Sequence, residues 1–376
     1  MNQANVLIAG DIFPRQNYPL FSGRKVEQLF APEILELFRK ADFSICNLEG
    51  ALTNEEEKIP KCGPNIKAPP ETVAALCKLG VDCVTLANNH STDYGTKGYL
   101  DTCETLDKSG IGHFGAGKDA HSIQTHYSVT VNGIRLTFYT VAETVFNIPG
   151  ENTAGSNLYD EYRVCGELKA LKKNCDHLLV IYHGGVEFYP YPTPWLISRF
   201  HRMADCGADL ITAQHTHCIG TKEEYNGAYL LYGQGNFHLI QPSYPELTTS
   251  GMLLELLISE REIEVKHHLI RRDGDVIRYE KPQDLSDFYE RSRRFAAGDR
   301  FEKEFAEYSQ EWFFKWLREF RGKSFQDRVM KKLLSRERFN RYLRKTYSDT
   351  AVLRMLEHVR GEEDVEVMQR GLQDFF

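Results

Sequence analysis

A chain of 376 residues, 41% of them hydrophobic, is long enough for a substantial buried core and a second compact unit, and too apolar for disorder. The net charge of -7 is unevenly spread: residues 1–280 carry 25 Lys/Arg against 35 Asp/Glu, and residues 281–376 carry 21 against 18. A mildly acidic main body argues against a general nucleic-acid coat, although an internal dication would invert the local potential and admit a phosphate.

The elements alternate in chain order. "NVLIAG" (5–10) reads as a short strand, and "VEQLFAPEILELFRKA" (26–41) as a helix broken or restarted at Pro32. "DFSICNLEG" (42–50) is a strand ending in polar residues. "PPETVAALCKLG" (69–80) is a proline-led, glycine-stopped helix feeding the strand "VDCVTLANNH" (81–90), and "KGYLDTCETLDKSG" (97–110) is a further helix. "YSVTVNGIRLTFYTV" (127–141) is a hairpin about Asn132 and Gly133. Helices over 162–174 and 195–207 then alternate with the strands "HLLVIYHGG" (177–185), "ADLITAQHTH" (208–217) and "AYLLYGQGNF" (228–237). Residues 252–279 read as antiparallel sheet turning at Asp273 and Gly274.

Repeated βα units mixed with hairpins predict a layered α/β domain over residues 1–284. Beyond it, aromatics and leucines recur at helical spacing among many charges, which predicts a helical C-terminal extension over 285–376. Its basic run from Lys331 to Lys345 is either a solvated helix face or a surface for phosphate or a partner. The nine cysteines are scattered singly and none forms CxxC, so buried thiols in a reducing compartment are expected. No basic region precedes the first apolar run, and no apolar stretch approaches the roughly 20 residues of a membrane helix. Cytoplasmic residence without an integral membrane segment is the expectation.

The apolar runs all stop at groups suited to bind a metal or a phosphate: Asp11, then Asn47 and Glu49, then Asn88, Asn89 and His90, then His183, then His215 and His217. In open α/β sheets ligands gather beyond the carboxyl ends of strands, so these groups are expected to share one crevice. Carboxylates and imidazoles together suit zinc, iron or manganese and argue against a calcium-only site. Each residue alone also has an ordinary reading. Asp11 can cap a turn, Asn47, Asn88 and Asn89 can stabilise loops, and Glu49 can be solvent-exposed.

The order "GD…NLEG…LANNHSTDYG…YHGGVEF…AQHTHCIG…YGQGNF" closely resembles the bacterial capsule and poly-gamma-glutamate synthesis protein family of the CapA/PgsA type, over approximately residues 5–255. The resemblance implies a calcineurin-like metallophosphatase sandwich of two mixed β-sheets flanked by helices. It also implies two divalent ions (Mn, Fe or Zn) held by Asp11, Glu49, Asn89, His183, His215 and His217. His90 would contact the scissile phosphate or protonate the leaving group, beside Asn89. Arg15 would contact an anionic group unless it is an ordinary exposed arginine. Glu187 would orient His183 or a water, and Asn236 would either support the site or form a turn.

The chain departs from the family pattern at Phe13, where a histidine ligand often stands, and at Gln214 and Thr216 around the paired histidines. Gly184 replaces a usual tryptophan and is expected to open room over the ions. The expected function is a dinuclear-metal phosphoesterase linked to capsule or polysaccharide metabolism, acting on an anionic small molecule or polymer. One alternative is a non-catalytic, metal-bearing accessory to polyglutamate or capsule synthesis machinery. Another is a metal-dependent peptide hydrolase or epimerase. No nucleic-acid partner is expected.

Overall fold

The computed structural model describes residues 2–12, 26–61, 63–238, 249–274, 276–281, 285–320, 335, 338 and 348–373. Arg15, Phe13 and nearly all of the Lys331–Lys345 run lie outside them. The chain divides into two compact units: Met1–Ile59 with Asn65–Arg300, and Pro60–Pro64 with Phe301–Phe376.

The first unit is built on two mixed sheets. One has the order β18 (Val276–Tyr279), β17 (Ile263–Asp273), β16 (Ser250–Ile258), β1 (Ala4–Ile12), β2 (Phe43–Leu48), β5 (Cys83–Thr85), β6 (Gly112–Phe114), with β15 (Asn236–His238) also pairing with β1. The run from β1 to β6 is parallel, and the run from β1 through β16 to β18 is antiparallel. The other sheet has the order β13 (Lys222–Tyr225), β14 (Ala228–Leu231), β12 (Leu210–Gln214), β11 (His177–His183), β9 (Ile134–Ala142), β8 (His126–Val131). Its four central strands are parallel. Two short ribbons complete the strands: β3 (Ala51–Leu52) with β4 (Lys67–Ala68), and β7 (Ala116–Gly117) with β10 (Gly155–Ser156).

Alternation along β1 explains the layers. Val6 and Ile8 enter a core with Phe138, Leu179, Ile181 and Leu210 of the other sheet. Leu7 and Ala9 point the other way, into a core with Ile34 and Phe38 of α1 (Pro32–Lys40), Leu76 of α2 (Val73–Leu79) and Leu106 of α3 (Gly95–Lys108). A strand buried on both faces reads as a continuous apolar run, as "NVLIAG" does. Pro32 sits in the first turn of α1, where its missing N–H is harmless, so the 26–41 pattern restarts there as helix. On the outer face of the second sheet lie α4 (Glu161–Lys172) and α5 (Pro194–Asp205); Phe200 of α5 stacks on Tyr232 and meets Tyr182 edge-on.

One expectation needs correction. The segment 228–237 is not one strand: β14 joins the second sheet and β15 the first. Between them Gln234 donates to the carbonyls of Ile8 and Met252, while Gln214 donates to that of Ala9, so amides bridge the sheets where the chain crosses. The first compact unit runs to Arg300. The helix α6 (Ser286–Ala296) belongs to the first unit because Phe288 enters its inter-sheet core, Phe295 packs edge-on against Tyr232, and Ser292 accepts the Lys222 amide. In the second unit, α7 (Glu302–Phe320) lies along the helix Glu362–Gln373, which follows the helix Asp349–Arg360. No helix among the described residues is long and apolar enough to cross a membrane.

Candidate metal centre

The site forms where parallel strands of both sheets end. In the first sheet Asp11 is paired in register with Asn47 on one side and Asn236 on the other. Gly10 allows this: a Cβ there would stand 2.5 Å from the Gly235 carbonyl oxygen, so a side chain would push β15 away. In the second sheet His183 ends β11, in register with Gln214 at the end of β12. His215 and His217 follow with φ of 84° and 55°, left-handed values that turn both rings back toward the crevice. Such backbone is costly for a non-glycine residue and persists only where its surroundings fix it. Here the His215 amide donates to Asp11 Oδ2 at 3.0 Å.

Asn47 is the hub of the buried network. Its Nδ2 lies 2.8 Å from Asp11 Oδ1 and 3.2 Å from His183 Nδ1. Its Oδ1 accepts from Thr85 and from Asn88. Asn88 in turn accepts the His90 amide, so it shapes the loop, whereas Asn89 reaches across the crevice and its Oδ1 stands 3.0 Å from His183 Nε2. Glu49 Oε1 is 3.8 Å from His183 Nε2 and 3.9 Å from His90 Nε2. His90 Nδ1 is bonded to buried Asp93 at 2.7 Å, and Asp93 also accepts the Ile66 amide. His217 donates from Nδ1 to Asn236 Oδ1 at 2.9 Å, which leaves its Nε2 lone pair available.

Two groups emerge, Glu49 with His183 and His215, and Asp11 with Glu49 and His217, and within each the ligand atoms lie within 4.8 Å of one another. Both contain Glu49, the disposition of a carboxylate shared between two cations. Burial holds His183 well below the ordinary imidazole range, helped by His215, His217 and His90, and lowers His215 to about 3. Burial also lowers His217, against the pull of Asp11 and Asn236. The imidazoles are therefore neutral at pH 7 and present lone pairs. Burial raises Asp11 above the usual carboxylate value, against the pull of His217, Asn47 and the His215 amide. A reluctant carboxylate beside neutral imidazoles, with His215 Nδ1 buried and without a hydrogen-bond partner among the described residues, fits divalent cations.

The structure thus brings Asp11, Glu49, Asn89, His90, His183, His215 and His217 into one crevice, with Asn236 behind His217. Glu187 lies at the rim, 3.9 Å from His215 Nε2, while the His183 ring it was expected to orient is flanked by Asn47 and Asn89. Gly184 does not open room over the ions. A Cβ there would stand 2.4 Å from the carboxyl carbon of Glu143, which fills the space. Asn47 was expected in the crevice but not as its hub, and Asp93 behind His90 and Glu143 were not singled out from the sequence.

A family model described as "Bacterial capsule synthesis protein PGA_cap" matches residues 5–241. The "Capsule biosynthesis protein CapA" of Bacillus anthracis is 29% identical over 208 residues, 53% of this chain and 51% of that protein. A "Probable polyglutamine synthesis accessory protein" of Mycobacterium tuberculosis (strain CDC 1551 / Oshkosh) is 28% identical over 210 residues, 52% of this chain and 55% of that one. The chain spans about half the length of these curated relatives. Among solved structures, a 5'-nucleotidase precursor from Thermus thermophilus is similar with 12% identity and a TM-score of 0.44, over 75% of this chain and 55% of that one.

Proposed function

The chain belongs to the bacterial capsule synthesis protein PGA_cap family, within the metallophosphatase-like superfamily, and we propose that it is a dinuclear-metal phosphoesterase serving capsule or polyglutamate metabolism. The observation that carries this reading is the sharing of Glu49 by two ligand groups, each drawing on both sheets.

Asp11, Glu49 and His217 would hold one ion, and Glu49, Asn89, His183 and His215 the other. Bound there, such ions polarise a phosphoryl group, lower the pKa of water and offset charge on the attacking and departing oxygens. Asn236 fixes the His217 tautomer by accepting from Nδ1. His90 stands at the rim of the ligand set with Nδ1 engaged by Asp93, so Nε2 is the atom that can donate to a phosphoryl or leaving-group oxygen. Asp93 holds that ring and stabilises its protonated form. The substrate would be anionic, a small molecule or a polymer, and the same proposal places the protein in the cytoplasm.

A second reading, in which the centre binds polymer without turning it over, is favoured by the word "accessory" in the name of the mycobacterial relative. A panel of phosphomonoesters and phosphodiesters, offered to Mn2+-loaded protein, tests the first reading. Turnover that is lost in His90→Ala supports it. A loaded protein inert toward the panel, yet retaining polyglutamate in a pull-down, overturns it in favour of the second.

A further inference from the structure

The segment from Glu143 to Asn147, which follows β9, touches both halves of the crevice. The Glu143 amide donates to the His183 carbonyl at 3.0 Å. Its Oε1 accepts from the Tyr182 hydroxyl at 3.0 Å and from the Gly185 amide at 2.9 Å, with Arg199 Nη1 at 3.5 Å. The carboxyl group lies flat against Gly184, so it contacts the residues on both sides of His183. Behind it Arg199 donates to the Tyr182 hydroxyl at 2.6 Å and covers the Tyr159 ring at 4.8 Å.

The other end of the segment reaches the first sheet. Asn147 is fully buried, and its Nδ2 donates both to the Glu143 carbonyl at 3.2 Å and to the Asn88 carbonyl at 3.1 Å. Its Oδ1 accepts the Val145 amide, which closes the turn. Asn88 immediately precedes Asn89, whose Oδ1 faces His183 Nε2. A continuous path of hydrogen bonds therefore runs from the strand carrying His183, through the Glu143 main chain and the Asn147 side chain, to the loop carrying Asn89, while the Glu143 carboxylate ties the same segment to Tyr182 and Gly185. These two groups come from different sheets, and ligation requires their separation to be held to within about 0.5 Å. Glu143 is also an expensive residue to keep here: it is buried, and its Oε2 has no hydrogen-bond partner among the described residues. An apolar residue would satisfy packing but would release Gly185 and Tyr182.

We propose that Glu143 and Asn147 are positioning residues, a brace that sets Asn89 against His183. The brace tunes affinity for the ion held by those two with Glu49 and His215, and leaves the ion at Asp11 and His217 alone. This rests on the two-ion reading above.

Calorimetric titration of the ion-free full chain with Mn2+ tests it, alongside Glu143→Ala, Asn147→Ser and Glu143→Gln. Glu143→Ala and Asn147→Ser should weaken one of two Mn2+ by about 10–100-fold, the range for groups that orient metal ligands, while the other stays within about threefold. Glu143→Gln should restore near-native binding, because its side-chain oxygen still accepts from Gly185. Should Glu143→Ala fail to fold, Asn147→Ser decides alone, since it leaves the Glu143 side chain in place. Variants that keep native affinity at both ions, or that weaken both in step with a lowered melting temperature, overturn the brace. A wild-type chain that binds no Mn2+ overturns the two-ion reading and the brace together, whereas two-ion binding untouched by the variants overturns the brace alone.

Discussion

The roles of individual side chains follow from what their second polar atom does. His90 Nε2 sits 3.9 Å from Glu49, and its Nδ1 is held by the buried carboxylate of Asp93. A ring held by a carboxylate at the edge of the ligand set predicts separable effects. His90→Ala should lower phosphoester turnover by about 10²–10⁴-fold, the usual scale for a general acid, and should leave Mn2+ content unchanged by elemental analysis. Loss of metal along with activity would make His90 a ligand instead. The ligand types were legible because they cluster at the ends of apolar runs, where a lone Asn or His would otherwise be unremarkable. Asp93 was within reach as well, three residues beyond His90 in one polar loop. Glu143 was not: only the parallel pairing of β9 with β11, distant in sequence, places it beside His183. Asn47 has the look of a turn residue, and nothing local marks it as the hub that joins Asp11, His183, Thr85 and Asn88.

Among the elements, the short strand β15 matters most, because it carries Asn236 to within reach of His217. Its fit depends on glycine in its neighbours: a Cβ at Gly251 of β16 would lie 1.8 Å from the Asn236 carbonyl oxygen. Gly251→Ala should therefore destabilise the fold by about 1–3 kcal/mol, the scale of core overpacking, measured by urea unfolding. It should also weaken the ion at Asp11 and His217 more than the other; equal weakening would separate β15 from the centre. The βα alternation and the Asn132–Gly133 hairpin could be read from period and turn residues, and the structure forms β8 and β9 about that turn. The crossing at Gly233–Gln234–Gly235 could not, since "AYLLYGQGNF" has the composition of one continuous strand. Only the two sheets' rival demands, β14 against β12 and β15 against β1, divide it.

At the scale of the whole molecule, the layered α/β architecture was legible. The aromatic and charged pattern of α6 matches that of the helices after it, while burial of Phe288 and Phe295 and the bond from the Lys222 amide to Ser292 tie it to the first unit. The buried histidines also give the unit a characteristic pH response. His215 titrates near 3 when folded but near 6.5 when unfolded, so between those values the unfolded chain binds more protons. Its stabilisation is complete above about pH 6.5 and is lost progressively as pH falls toward about 3. Asp11, raised by burial, works in the opposite sense: its contribution is present below the ordinary carboxylate value and lost as pH rises through its folded one. His183 and His217 are lowered in the same direction as His215, so three imidazoles act against one carboxylate. Ion-free protein should therefore melt lower at pH 5 than at pH 7. Mn2+ at a hundredfold its dissociation constant should add about 2.7 kcal/mol at pH 7, read by thermal melts. The lowered imidazoles stay neutral in the folded chain at pH 5, so any proton competition there falls on Asp11; a chain that gains no stability from Mn2+ at pH 7 would contradict ligation by neutral imidazoles. The most direct test counts ions. Equilibrium dialysis against Mn2+ should give two per wild-type chain, one in His215→Ala, one in His217→Ala, and none in Glu49→Ala at the same free concentration. Two ions retained in Glu49→Ala, or a wild-type chain that binds none, would contradict a centre built on one shared carboxylate.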